Sequence, residues 1–101
     1  MALRIAQDSE YEGNDYWRWS VWLDGSDAEL DAVELVVYTL HPSFPTPVRT
    51  IADRSTRFRL ETAGWGTFTI YARIVHKEGA PEEHLEHELE LTYPDDSPAP
   101  A

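Results

Sequence analysis

A chain of 101 residues with no cysteine and no apolar run near the ~18 residues of a membrane helix excludes a disulfide-stapled miniprotein and a spanning helix. Its 42% hydrophobic content, with four Trp, five Tyr and three Phe, is enough to fill one core unaided, so one soluble domain is expected, cytoplasmic or, in a eukaryote, nuclear. Eight basic against nineteen acidic residues leave a formal charge of −11, which disfavours nucleic acid and membrane partners and suits either a Lys-rich peptide or plain solubility.

Period-2 alternation runs along the chain and no helix period is present, so the predicted elements are strands. Leu3 to Ala6 adds a short edge strand. From Trp17 to Leu23, residues Trp17, Trp19, Val21 and Leu23 face one way and Arg18, Ser20 and Trp22 the other, until the turn at Asp24-Gly25-Ser26. A second strand runs from about Ala32 to Leu40, with Val33, Leu35 and Val37 expected inward and Glu34 outward. Its other face (Val36, Tyr38, Leu40) is also apolar, so cover on both sides is expected. Phe58 and Leu60, interleaved with Arg57, Arg59 and Glu61, give a third strand, and Phe68, Ile70, Ala72 and Ile74 a fourth. After a hairpin loop with Gly79 and Pro81, Leu85, Leu89, Leu91 and Tyr93 alternate with Glu86, Glu88, Glu90 and Thr92. Short strands divided by turns predict an all-β immunoglobulin-like β-sandwich of about 6–8 antiparallel strands.

The sandwich is placed at residues 1–93. Residues 94–101 offer a core no apolar side chain beyond alanine and proline and read as a disordered Pro/Ala/Asp tail or linker, as in a piece of a longer multidomain protein. Sixteen of the nineteen acids precede Ala32 or follow Val75. Arg49, Arg54, Arg57 and Arg59 lie between, and read as a solvated strand edge and loop rather than a binding site.

No catalytic set emerges. His84 and His87 would share one face of a helix and bind a metal there, but in a strand residues three apart point to opposite faces. Ser43 stands two residues after His41 without a third group to orient the histidine. Gly64-Trp65-Gly66 is too short for a phosphate loop and precedes a strand. The expectation is a non-enzymatic domain with no metal and no cofactor.

Two connections are unlike ordinary sandwich loops. Leu40-His41-Pro42-Ser43-Phe44-Pro45 continues through Thr46-Pro47-Val48-Arg49, and its three prolines stiffen a backbone that holds up Phe44. Ala63-Gly64-Trp65-Gly66-Thr67-Phe68 places a bulky ring between glycines in a tight connection. On their own, such aromatics most often cap the open end of a core.

Together these segments resemble the two signature loops of the YEATS family. Trp19-Ser-Val-Trp-Leu-Asp-Gly25 is similar to its first core strand, Val33-Glu-Leu-Val-Val-Tyr-Thr-Leu40 to the strand feeding the first loop, and Leu85 to Leu91 to the closing strand. The likeness covers roughly Trp17 to Tyr93. It implies a channel at one end of the sandwich that receives an acylated lysine. Phe44 and Trp65 match the aromatics that sandwich the flat amide, and Ser43 matches the serine that hydrogen-bonds it. The backbone N–H at Trp65 matches the donor to the acyl carbonyl. His41 matches a residue lining the channel, and Gly64 and Gly66 match glycines that permit close approach.

The chain departs from the family pattern at Thr67, where many relatives carry an acid. It also lacks sequence that eukaryotic members carry before and after the core, as in the compact prokaryotic branch. A further channel aromatic from ahead of the first core strand has two candidates, Tyr16 and Tyr11. The resemblance therefore implies a recognition module for an acyl-lysine (acetyl or crotonyl) peptide or a related acyl amide. The alternative is a protein–protein interaction or spacer domain without an acyl ligand.

Overall fold

The computed structural model describes residues 3–99, and among them seven strands form two antiparallel sheets around one core. The first sheet has the order β1 (Arg4–Gly13), β2 (Tyr16–Asp24), β5 (Leu60–Gly64). The second has the order β4 (Val48–Ile51), β3 (Val33–Thr39), β6 (Thr69–His76), β7 (Glu83–Glu88). This is the expected immunoglobulin-like sandwich. No helix among the described residues is long and apolar enough to cross a membrane.

Strand β2 follows its sequence pattern: Trp17, Trp19, Val21 and Leu23 are all buried, because one face of a half-covered strand must hide its apolar set. Trp17 pairs its indole N–H with the carbonyl of Thr92 at 2.8 Å. The expected edge strand at Leu3–Ala6 extends to Gly13, its outer part polar, and turns into β2 through Gly13, Asn14 and Asp15, all at positive φ.

Strand β3 corrects the expected facing. The register shifts between Val33 and Leu35, so Val33, Val36, Tyr38 and Leu40 are buried. Leu35 and Val37 are half-buried on the outer face instead. A bulge moves every later side chain to the opposite face. The inward face then receives Tyr38, whose buried hydroxyl donates to the carbonyl of Phe58 at 2.8 Å.

Three other departures are local. Ser26 and Glu29 form a capping box on α1 (Asp27–Asp31), a helix of 5 residues that buries Leu30. Phe58 does not belong to a strand: Arg57 and Phe58 both take left-handed φ, and this drops the Phe58 ring into the core before β5 begins at Leu60. Strand β4 has no counterpart among the predicted elements.

Strand β7 is extended as expected, so His84 and His87 fall on opposite faces. Beyond it Leu89 and Leu91 stay buried. The Gln7 side chain ties the two sheets at this seam. Its amide donates to the carbonyl of Glu90 at 2.6 Å, and its oxygen accepts from the Glu90 N–H at 2.9 Å and from His87 Nε2 at 2.7 Å. In the segment read as a tail, the Tyr93 N–H donates to Ser97 and the Ala99 N–H to Leu91, each at 2.9 Å.

Candidate functional site

The topology brings the two unusual loops together. Residues 40–47 connect β3 to β4 within one sheet, and residues 65–68 cross from β5 in the other sheet to β6. Because β3 and β6 are hydrogen-bonded neighbours, with Thr39 opposite Tyr71, both loops spring from adjacent strand ends. Between them lies a cleft of about 260 Å³.

All six residues singled out in the sequence line it: His41, Ser43 and Phe44 from the first loop, Gly64, Trp65 and Gly66 from the second. Sequence reading missed Pro45, Ala63 and Thr67, and assigned Phe68 to the core. Phe68 stands one residue before β6, where alternation has not begun, so its half-buried ring serves both core and cleft. Of the two tyrosines left open, Tyr16 lines the cleft and is 44% exposed. Tyr11 packs instead on Trp17 and Tyr93, with ring centroids 5.1 and 5.4 Å away.

The first loop is internally bonded. Leu40 N–H donates to the Pro47 carbonyl at 2.8 Å, closing its base, and Phe44 N–H donates to the His41 carbonyl at 3.0 Å. Ser43 N–H also donates to His41 Nδ1 at 3.1 Å, so that nitrogen is an acceptor. The Ser43 hydroxyl, 2.9 Å from the same nitrogen, therefore donates to it and keeps its own lone pairs for another donor.

The aromatic residues differ in freedom. Phe44 is half-buried, edge-on to Trp19 at 6.2 Å and tilted against Phe68 at 5.4 Å. Trp65 is 62% exposed, and no ring packs against it among the described residues. A fixed ring and a free one thus border the same space. Only His41 and Tyr16 among the lining residues can ionise, and no carboxylate, lysine or arginine is present. Such a site suits a flat, neutral group with one donor and one acceptor.

Fold and cleft together define a class: an immunoglobulin-like β-sandwich whose loop end carries an aromatic-lined cleft. Residues 17–90 match the family model of the prokaryotic YEATS domain, and the chain belongs to that family. It is similar to transcription initiation factor TFIID subunit 14 of Schizosaccharomyces pombe (33% identity over 89 residues, 72% of this chain and 36% of that protein). It is also similar to the protein AF-9 homolog of Saccharomyces cerevisiae (34% over 86 residues, 81% of this chain and 37% of that protein). The chain thus spans little more than a third of these relatives' length.

Among solved structures, the fold resembles the Yaf9 YEATS domain bound to H3K27ac, with a TM-score of 0.70, 23% identity, and coverage of 91% of this chain and 74% of that one. It also resembles the Yaf9 YEATS domain recognizing an H3K122suc peptide, with a TM-score of 0.72, 24% identity, and coverage of 93% and 75%.

Proposed function

We propose that this domain is a non-catalytic recognition module for acylated lysine, with the acyl amide lying between Phe44 and Trp65. The observation that carries the reading is the convergence of both signature loops on one uncharged cleft. Ser43 Oγ accepts the amide N–H of the ligand, and a main-chain N–H at Trp65 donates to the acyl carbonyl. Both pairings are needed, because a buried amide group left unmade loses about 1–3 kcal/mol. Stacking on each ring adds about 0.5–1.5 kcal/mol beyond area burial. An unmodified lysine would bring a hydrated ammonium into a cleft with no carboxylate, and lost hydration opposes its entry.

An acetamide tip of roughly four heavy atoms, at a ceiling of about 1.5 kcal/mol per atom, yields at most ~6 kcal/mol. The dissociation constant from the tip alone is then tens of micromolar or weaker. Titration by NMR with acetyl-lysine and crotonyl-lysine peptides should shift the amides of Ser43, Phe44, Trp65 and Gly66, while the unmodified peptide leaves them in place. Trp65→Ala should weaken binding by about 1–3 kcal/mol with the fold intact, since its side chain is on an exposed loop. Equal shifts from modified and unmodified peptides would favour an interaction domain without an acyl ligand. Unfolding of the variant would make Trp65 a cap of the core.

A further inference from the structure

Arg49 read in the sequence as part of a solvated edge, and its surroundings differ from that expectation. It lies in β4 opposite Tyr38 and is half-buried. Its Nε donates to the Thr46 carbonyl at 2.5 Å and its Nη2 to the Pro45 carbonyl at 3.0 Å. In a chain with nineteen acids, no ion pair among the described residues includes it. Its Nε and one terminal nitrogen are both spent on the backbone of the loop that carries Phe44.

That backbone needs holding. Thr46 sits at φ +52°, a left-handed conformation that is an outlier for a β-branched residue. Such a conformation persists only where surrounding contacts over-determine it. Here the contacts are the guanidinium fork on one side and the Leu40–Pro47 hydrogen bond at the loop base. Pro45 itself lines the cleft, directly after Phe44, so the clamped carbonyls and the recognition ring are contiguous.

We propose that Arg49 is a positioning residue of the cleft: it pins the Pro45–Thr46 backbone and so keeps Phe44 in place for the ligand. The role rests on the acyl-lysine reading. Arg49 touches no ligand and adds no charge to the site; it acts by keeping the loop in its binding form. A planar fork is required because two carbonyls must be held at once, and a lysine ammonium, as a single point charge, serves one of them well.

The test compares Arg49→Met and Arg49→Lys with the parent chain in peptide titrations and hydrogen exchange. Arg49→Met should weaken acetyl-lysine peptide binding about fivefold, the factor expected when the competent loop falls to about a fifth of the population. Exchange should speed up at the Phe44 and Leu40 amides alone, with little change in melting temperature, and Arg49→Lys should fall between the two. Unchanged binding with unchanged exchange at those amides overturns the proposal. So does a large drop in melting temperature with faster exchange throughout β3 and β6, which would make Arg49 a brace of the sheet. Should the parent chain bind no acylated peptide, the acyl-lysine reading fails, and exchange at Phe44 and Leu40 decides the clamp by itself.

Discussion

At Gly64 an added methyl group would stand 3.3 Å from Phe44 Cζ, closer than ordinary van der Waals contact. The ring has Trp19 and Phe68 against its other sides, so it has to turn rather than retreat. Gly64→Ala should therefore act on the cleft, by roughly the 0.5–1.5 kcal/mol of a ~30° off-rotamer side chain. Peptide titration should show that loss, and an unchanged affinity would mean that Phe44 is not a wall of the binding space. Ser43→Ala separates the polar part of recognition from the stacking part. It should cost about 0.5–1.5 kcal/mol of binding, the net worth of one neutral hydrogen bond. Because Ser43 is exposed, stability should stay within about 0.5 kcal/mol of the parent.

Strand β3 shows where sequence pattern stops deciding. In β2 only one face is continuously apolar, so alternation gave the core residues without ambiguity. In β3 both faces are apolar, and a bulge at Val33/Leu35, which has no residue signature here, chose between them. Strand β4 carries no apolar alternation to read, because its half-buried positions hold Arg49 and Ile51 and its exposed ones Val48 and Thr50. The helix α1 carried a readable cap at Ser26 and Glu29, but 5 residues are too few for a period. The cleft was legible as two odd loops. Their meeting at one end of the sandwich is implied by the family resemblance and not by residue pattern, because it depends on β3 and β6 being neighbours across the chain. The assigned facing has a direct consequence. Val36→Thr places a hydroxyl in the core and should cost about 1–3 kcal/mol, while Val37→Thr on the outer face should stay within about 0.5 kcal/mol. Urea midpoints of the two variants measure the difference, and a larger cost at Val37 than at Val36 would mean that the bulge is absent in solution.

Over the whole molecule, the charge of −11 attracts any Lys-rich peptide at low salt, so specificity is judged where that attraction is screened. The same acidity shapes the response to pH, but one group acts before the carboxylates. His87 sits at the seam between the sheets, with Nε2 donating to Gln7. Burial pushes its pKa below the ordinary 6.5, and the nearby Glu90 and Glu88 only partly pull it back. The unfolded chain therefore takes up this proton more readily than the folded one. The stability that neutral His87 contributes is complete above 6.5, and it drains away as pH falls through the lower folded value. Hydrogen bonds hold the carboxyls of Glu29, Asp53 and Asp95 below their usual range, so their share is lost later, at more acid pH. His87→Gln keeps a neutral N–H donor at the seam and removes the titration. Melting curves taken from about pH 7.5 down to about pH 5.5, before carboxylates titrate strongly, should show the parent losing more stability than the variant. Parallel curves for the two proteins would assign the early acid response to another group.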